Sequence, residues 1–177
     1  MQVHRQSQIE TDSFEIGDQI KVKINHGDYT ATAIKKDGDK VLFFLDQILS
    51  EEKPMNKEGG TEGGYLESDM RRYLKDIEDT VDIKGILLPN EDGDLLWLLS
   101  LKEVGGYDED FNNVDGQIEW FKDRKRRMAQ RKGSYDWYWL RTPVSAAYFA
   151  LVNSNGFCAY ADASYARGVR PAFAIKA

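Results

Sequence analysis

The chain has one cysteine, two histidines and four prolines in 177 residues. A single cysteine, Cys158, excludes an internal disulfide framework and a cysteine-built zinc site. His4 and His26 leave little for histidine-centred catalysis. No apolar run approaches the roughly 18 residues of a transmembrane helix. The opening MQVHRQSQIETDSF has no apolar stretch and reads as no signal peptide. Phosphate loops, dinucleotide fingerprints and the GxSxG elbow are missing as well. Cys158 lies among apolar and small residues with no histidine near it in sequence, and so reads as a buried small hydrophobe, not a nucleophile. No spacing singles out an acid/base pair among the 30 carboxylates. No enzyme is expected, and no cofactor or metal.

What is present is 41% hydrophobic and 31% charged, the balance of a globular protein. The length suits one domain, 14–177, behind a polar and loose first thirteen residues. FEIGDQIKVKI alternates as a half-buried strand, and DYTATAIKKDGDKVLFFLD reads as two strands around a Lys-Asp-Gly-Asp turn. EEKPMNKEGGTEGGY is a loop. Ser68 is placed to cap a helix beginning SDMRRYLKDIED, with Met70, Tyr73, Leu74 and Ile77 on one face. DLLWLLS reads as a short apolar strand. WYWLRTP, YFALVNSNG, FCAYADASYARG and VRPAFAIK alternate strand-like pieces with small-residue turns. Strands and helices segregate, which indicates an α+β fold.

Charge is uneven. Residues 1–121 sum to −14 and residues 122–177 to +8, much of the latter in KDRKRRMAQRK. Such a cluster could hold phosphates. It reads better as the polar side of a helix over about 115–131, with Ile118, Phe121 and Met128 as its apolar stripe and Gly133 ending it. No specific nucleic-acid partner is expected. DEDFNNVDGQIE places Asp108, Asp110, Asn112 and Glu119 at positions 1, 3, 5 and 12 of a calcium loop. Asn113 stands where that loop needs glycine, and Gly105-Gly106 interrupts the entering helix. The competing reading is an acidic surface loop with Asp115 capping the next helix.

Aromatics concentrate after residue 134, interleaved with Ser, Asn, Ala, Gly and Asp, the composition of adaptable binding surfaces. Trp137, Trp139 and Phe173 fit a core, whereas Tyr160 and Tyr165 stand in a turn-rich run of small residues. WYWLRTP, FALVNSNGFC and GVRPAFAI, with FEIGDQIKV, LFFLDQIL, SDMRRYL and LLSLKEVGG before them, resemble a bacterial and phage family with a C-type-lectin-like fold related to formylglycine-generating enzymes. The resemblance spans about 14–177. It implies two helices with small antiparallel sheets and a loop-rich C-terminal ligand-binding region, and that FEIGDQIKV and VRPAFAIK pair as neighbouring strands. The sugar-binding motifs of calcium-dependent lectins are absent around Pro143, and a lone cysteine does not suit the enzyme's chemistry.

The best understood members of that family are variable proteins of diversity-generating retroelements. Adenine-directed rewriting of AAC codons there cannot yield Lys, Glu, Gln, Met or Trp. Those types make up 41 of the 177 residues, yet the 23 residues of 144–166 contain none. The resemblance implies a frame of Trp139, Leu140, Arg141, Pro143, Phe149, Asn153, Gly156, Gly168, Val169, Arg170 and Pro171. Within about 144–167 it implies variable, ligand-binding positions at Val144, Ala147, Tyr148, Leu151, Phe157, Ala159, Tyr160, Ala161, Asp162, Tyr165 and Ala166, with Arg167 at the margin. Tyr148, Tyr160 and Tyr165 would anchor a protein or surface-glycan ligand and Asp162 would tune partner choice. The implied setting is a phage virion or the bacterial cytoplasm or surface, and a homo-oligomer would add avidity. A fixed adhesion module of the same fold, an enzyme with an unrecognised carboxylate site and a nucleic-acid binder using 122–132 are the rival readings.

Overall fold

The computed structural model of the chain describes residues 14–105 and 116–176. Residues 1–13, and the 108–115 part of the calcium-like motif, lie outside them. The first three strands, β1 (Gln19–Ile24), β2 (Gly27–Asp37) and β3 (Lys40–Leu45), form an antiparallel meander. Its tight turns follow from local chemistry. Asn25 and His26 both take positive φ (47° and 67°), as a two-residue hairpin turn between right-twisted strands requires. Gly38, at φ 58°, opens the second turn. Ile34 is an extra residue between Ala33 and Lys35, a bulge that bends β2 while keeping Ile34 buried.

The last strand, β10 (Ala172–Lys176), completes the sheet by inserting between β3 and the two-residue β4 (Leu87–Leu88), giving the order β1-β2-β3-β10-β4. The sheet curls as a half-barrel. This corrects the expected pairing of the two ends of the domain. β1 and β10 share the sheet, but β2 and β3 lie between them. The reason is burial. Ala172, Phe173, Ala174 and Ile175 are all buried and need neighbours on both edges, whereas β1 alternates exposed Lys21 and Lys23 with buried Val22 and Ile24, which suits an edge.

Helix α1 (Asp69–Ile77) forms where its spacing places it. The Ser68 hydroxyl accepts from the Arg71 N–H (3.1 Å) and donates to the Tyr65 carbonyl (2.7 Å), and Met70, Leu74 and Ile77 are buried. Arg71 and Lys75 from this helix close on Asp94, whose side chain is fully buried. DLLWLLS does not form the expected strand: it bends at Leu95 and Leu96 and pairs only through a single bridge, Trp97 to Ala172. A one-turn helix, α2 (Leu101–Val104), starts with a reciprocal cap between Ser100 and Glu103.

The expected helix over 115–131 is not there. Residues 119–122 and 124–127 form two short 3-10 turns, and Gln130–Arg131 (β5) pairs with Ser134–Tyr135 (β6). The Asp123 side chain takes the Lys125 N–H, which competes with helical bonding at the break. Gly133 (φ 87°), beside Lys132 (φ 53°), turns that hairpin and ends no helix. A second sheet, β7 (Tyr138–Pro143), β8 (Tyr148–Val152) and β9 (Cys158–Asp162), is antiparallel with β8 central. Its inner residues join one apolar core with those of the first sheet. The fold is α+β and mostly antiparallel.

Candidate functional site

The frame positions are held from several directions. Trp139 is fully buried, and its indole N–H donates to the Lys53 carbonyl at 2.9 Å. Arg170 is buried and its Nε and Nη1 donors are used. Its Nε donates to the Leu45 carbonyl (2.7 Å), and Nη1 donates to the Tyr138 Oη (3.0 Å) and the Arg127 carbonyl (3.2 Å). Its guanidinium lies 4.0 Å from the Phe44 ring centroid. Half-buried Arg141 donates to the Leu98 carbonyl (3.0 Å) and pairs with Glu103 (3.2 Å). Asn153 shapes the β8–β9 turn by accepting from the N–H groups of Asn155 and Phe157. Gly168 sits where a Cβ would lie 2.5 Å from the Trp137 carbonyl oxygen.

The pleat of β8 and β9 sorts the candidate binding positions. Tyr148 pairs with Asp162 and Ala150 with Tyr160, so Tyr148, Tyr160 and Asp162 share one face. Tyr148 and Tyr160 are 39% and 58% exposed, their ring centroids 5.4 Å apart. Tyr165 is 56% exposed, Val144 and Ala166 are exposed and Ala147 is half-buried. Asp162 Oδ1 accepts from the Ser164 N–H (2.9 Å) and hydroxyl (2.7 Å), which holds its carboxyl below the usual range.

Four positions depart from the expected surface. Leu151 and Ala161 point to the opposite side of the sheet and are buried with Phe149, so neither reaches a ligand. Ala159 is half-buried on that same side. Phe157 is half-buried, with the Arg124 guanidinium 4.8 Å from its ring centroid. Strand alternation, which a position-by-position resemblance does not carry, is the cause. At the far end of the tyrosine face, Cys158 is buried and its thiol donates to the Gly105 carbonyl (2.7 Å). Burial pushes that thiol up to about 12, the opposite of an activated nucleophile.

The basic segment is dispersed. Arg127 is buried, and burial holds its guanidinium below its ordinary value. Arg131 is held by Glu52 and Asp136, both at 2.8 Å. Arg126 stacks on Trp120, and Lys122 pairs with Glu119. Among the described residues no cluster of three His, Cys, Asp or Glu side chains is arranged around a common point, and no helix is long and apolar enough to cross a membrane. A groove of about 210 Å³ beside Trp97, Leu42, Lys40 and Arg141 lies away from the tyrosines.

The sequence reading missed one part of this region. The Gly-rich loop runs along the C-terminal turns. Lys53 and Arg167 exchange main-chain hydrogen bonds. The Asn56 N–H donates to the Ala163 carbonyl (2.9 Å) and the Thr61 N–H to that of Ala146 (3.0 Å). The Thr61 hydroxyl donates to the Ser145 carbonyl at 2.6 Å. The only signal for this in the sequence was the pair of Gly-Gly steps, whose four glycines all take positive φ.

The profile of a domain family described as being of unknown function (DUF6273) matches residues 84–177, from the strand before Trp97 to the C-terminus. No curated protein and no solved structure matches the chain.

Proposed function

The chain belongs to the DUF6273 family, and from its site we propose that it is a non-enzymatic, receptor- or adhesin-type protein that binds a ligand through the face around Tyr148, Tyr160, Asp162 and Tyr165. One observation carries this reading. Two exposed tyrosines, Tyr148 and Tyr160, share one face of a sheet with the Asp162 carboxylate, exposed Tyr165 follows three residues on, and Phe149 and Leu151 on the opposite face are fully buried. Tyrosine offers large contact area at low entropic cost, and a rigid support lets it do so without reorganising. The ligand is a protein or a surface glycan, bound non-covalently.

The finer reading is a C-type-lectin-like fold whose surface residues within 144–167 are diversified by a retroelement. Two helices with small antiparallel sheets suit that fold. The absence of Lys, Glu, Gln, Met and Trp from 144–166 suits diversification. The positions diversified to bind are then Val144, Ala147, Tyr148, Tyr160, Asp162, Tyr165 and Ala166, without Leu151, Phe157, Ala159 and Ala161. Sequencing the gene and its flanking DNA tests this. The expected result is a near-copy of the last codons carrying AAC at those positions, beside a reverse-transcriptase gene. Ordinary codons with neither feature overturn diversification and leave a fixed adhesion module.

A further inference from the structure

Among the described residues, every arginine except Arg127 and Arg167 pairs its guanidinium with a carbonyl or a carboxylate. Arg127 is shut inside the core. Arg167 is not. It is half-buried, donates no side-chain hydrogen bond and joins no ion pair there. Its Nε is buried without a partner, whereas Nη1 and Nη2 are reached by solvent. The Trp137 and Tyr165 ring centroids lie 5.4 and 5.9 Å from its Cζ. Aromatic rings favour a cation but leave its in-plane N–H groups unused. The fork that remains, Nη1 with Nη2, matches a planar anion met end-on.

Main chain holds the residue from two sides. The Arg167 N–H donates to the Lys53 carbonyl (3.2 Å), and its carbonyl accepts from the Lys53 N–H (2.9 Å). The Gly168 N–H donates to the Trp137 carbonyl (3.0 Å), and the Gly168 carbonyl accepts from the Trp139 N–H (3.0 Å). The acids that neighbour these residues in sequence are already engaged. Glu51 pairs with Lys53 (3.5 Å), and Glu52 and Asp136 pair with Arg131 (both 2.8 Å). The fork is thus built, pre-positioned and left without an anion. Those acids, in a chain of net charge −6, disfavour a multiply charged phosphate and suit a single carboxylate.

Resting on the binding reading above, we propose that Arg167, with Trp137 and Tyr165 beside it, takes the carboxylate of an acidic sugar, so that the ligand is a surface polysaccharide bearing uronic acid. The site joins one open charge to exposed ring surface. A pyranose lays its apolar C–H face on an aromatic ring, and the C6 carboxylate of a uronic acid stands at the edge of that pyranose, where a fork can take it. Tyr165 is exposed beside the fork. Tyr148 and Tyr160, on the strands that lead into this turn, offer rings to further units. A protein ligand draws its polar contacts from a broad rim of many residues, whereas a single open fork suits a polymer that repeats one charged unit.

Interferometry of the full chain on immobilised polygalacturonate and alginate, each beside its carboxyl-reduced form, and on poly-L-glutamate tests this. Binding to a polyuronate is expected, weakened about tenfold or more by carboxyl reduction and by Arg167→Gln or Arg167→Lys. Lys40→Gln removes the same charge opposite Lys176, at the far end of β10 from this turn, and is expected to leave Kd within about twofold. Thermal denaturation checks that each variant folds. No binding to either polyuronate, equal binding to the reduced polymers, or equal binding to poly-L-glutamate overturns the acidic sugar, the last in favour of an acidic protein. Polyuronate binding that survives Arg167→Gln but is lost on Tyr148→Ser with Tyr160→Ser overturns the Arg167 site and leaves the tyrosine face standing. Binding that survives both sets of changes overturns the face as well.

Discussion

At the scale of single residues, the chain holds several polar groups where water does not reach; some, such as Arg170, are held by their neighbours, while the Arg127 Nε and Nη1 have no hydrogen-bond partner. Arg170 stands out because its donors end on two carbonyls and a tyrosine hydroxyl while its plane lies on Phe44. A lysine cannot reproduce that fork. Its use of backbone carbonyls was expected, but which carbonyls was not legible, because Leu45 and Arg127 are distant in sequence. Cys158 was read correctly as a small buried group. It also gives a pH prediction. Its thiol titrates near 9.0 when unfolded and at about 12 in the folded chain. The folded state therefore keeps a proton that the unfolded state releases. That contribution is fully present below pH 9 and is lost as pH rises towards 12. Urea denaturation is expected to show falling stability over that window, and Cys158→Ala is expected to flatten the fall. Buried Tyr138, whose hydroxyl is also pushed up, adds to the same alkaline loss.

At the scale of elements, turns decide more than helices do. α1 was legible because its cap and its apolar spacing agree, and agreement between local and tertiary demands makes an element readable. The supposed basic helix failed because charge and a sparse apolar stripe do not overcome a competing aspartate cap, and because Gly133 serves a hairpin. The β8–β9 turn is the most exacting. Gly156 has φ 84°, and a Cβ there would sit 2.7 Å from the Arg124 carbonyl oxygen. Strain and clash act together, so Gly156→Ala is expected to cost more than about 1 kcal/mol. Chemical denaturation would measure it. A change inside about 0.5 kcal/mol, the range of ordinary surface substitutions, would mean that the basic segment yields freely and does not brace the turn.

At the scale of the whole molecule, the proposed binding face is expected to be separable from what stabilises the fold. Tyr148 and Tyr160 project from a sheet whose inner residues, Phe149, Leu151 and Trp139, are fully buried, and exposed Tyr165 stands in the turn after it. The triple change to serine at those tyrosines is therefore expected to move Tm by no more than about 4 °C. Leu151→Ala, on the core side of the same strand, is expected to cost about 2–5 kcal/mol. Thermal melts of the two variants distinguish a display surface from a packed one. Equal losses would show that the tyrosines are structural.

The sequence by itself determined the α+β class, the capped helix, the β2–β3 hairpin, the buried cysteine and the exposure of Tyr160 and Tyr165. Each rests on short-range periodicity, turn chemistry or composition, which a linear reading contains. Only the tertiary structure decided that β10 inserts between β3 and β4, that Leu151 and Ala161 face the core, and that 53–61 runs along the 144–167 segment. Those follow from which edges are free, which pleat faces inward and which distant main chains meet, and no local pattern encodes them.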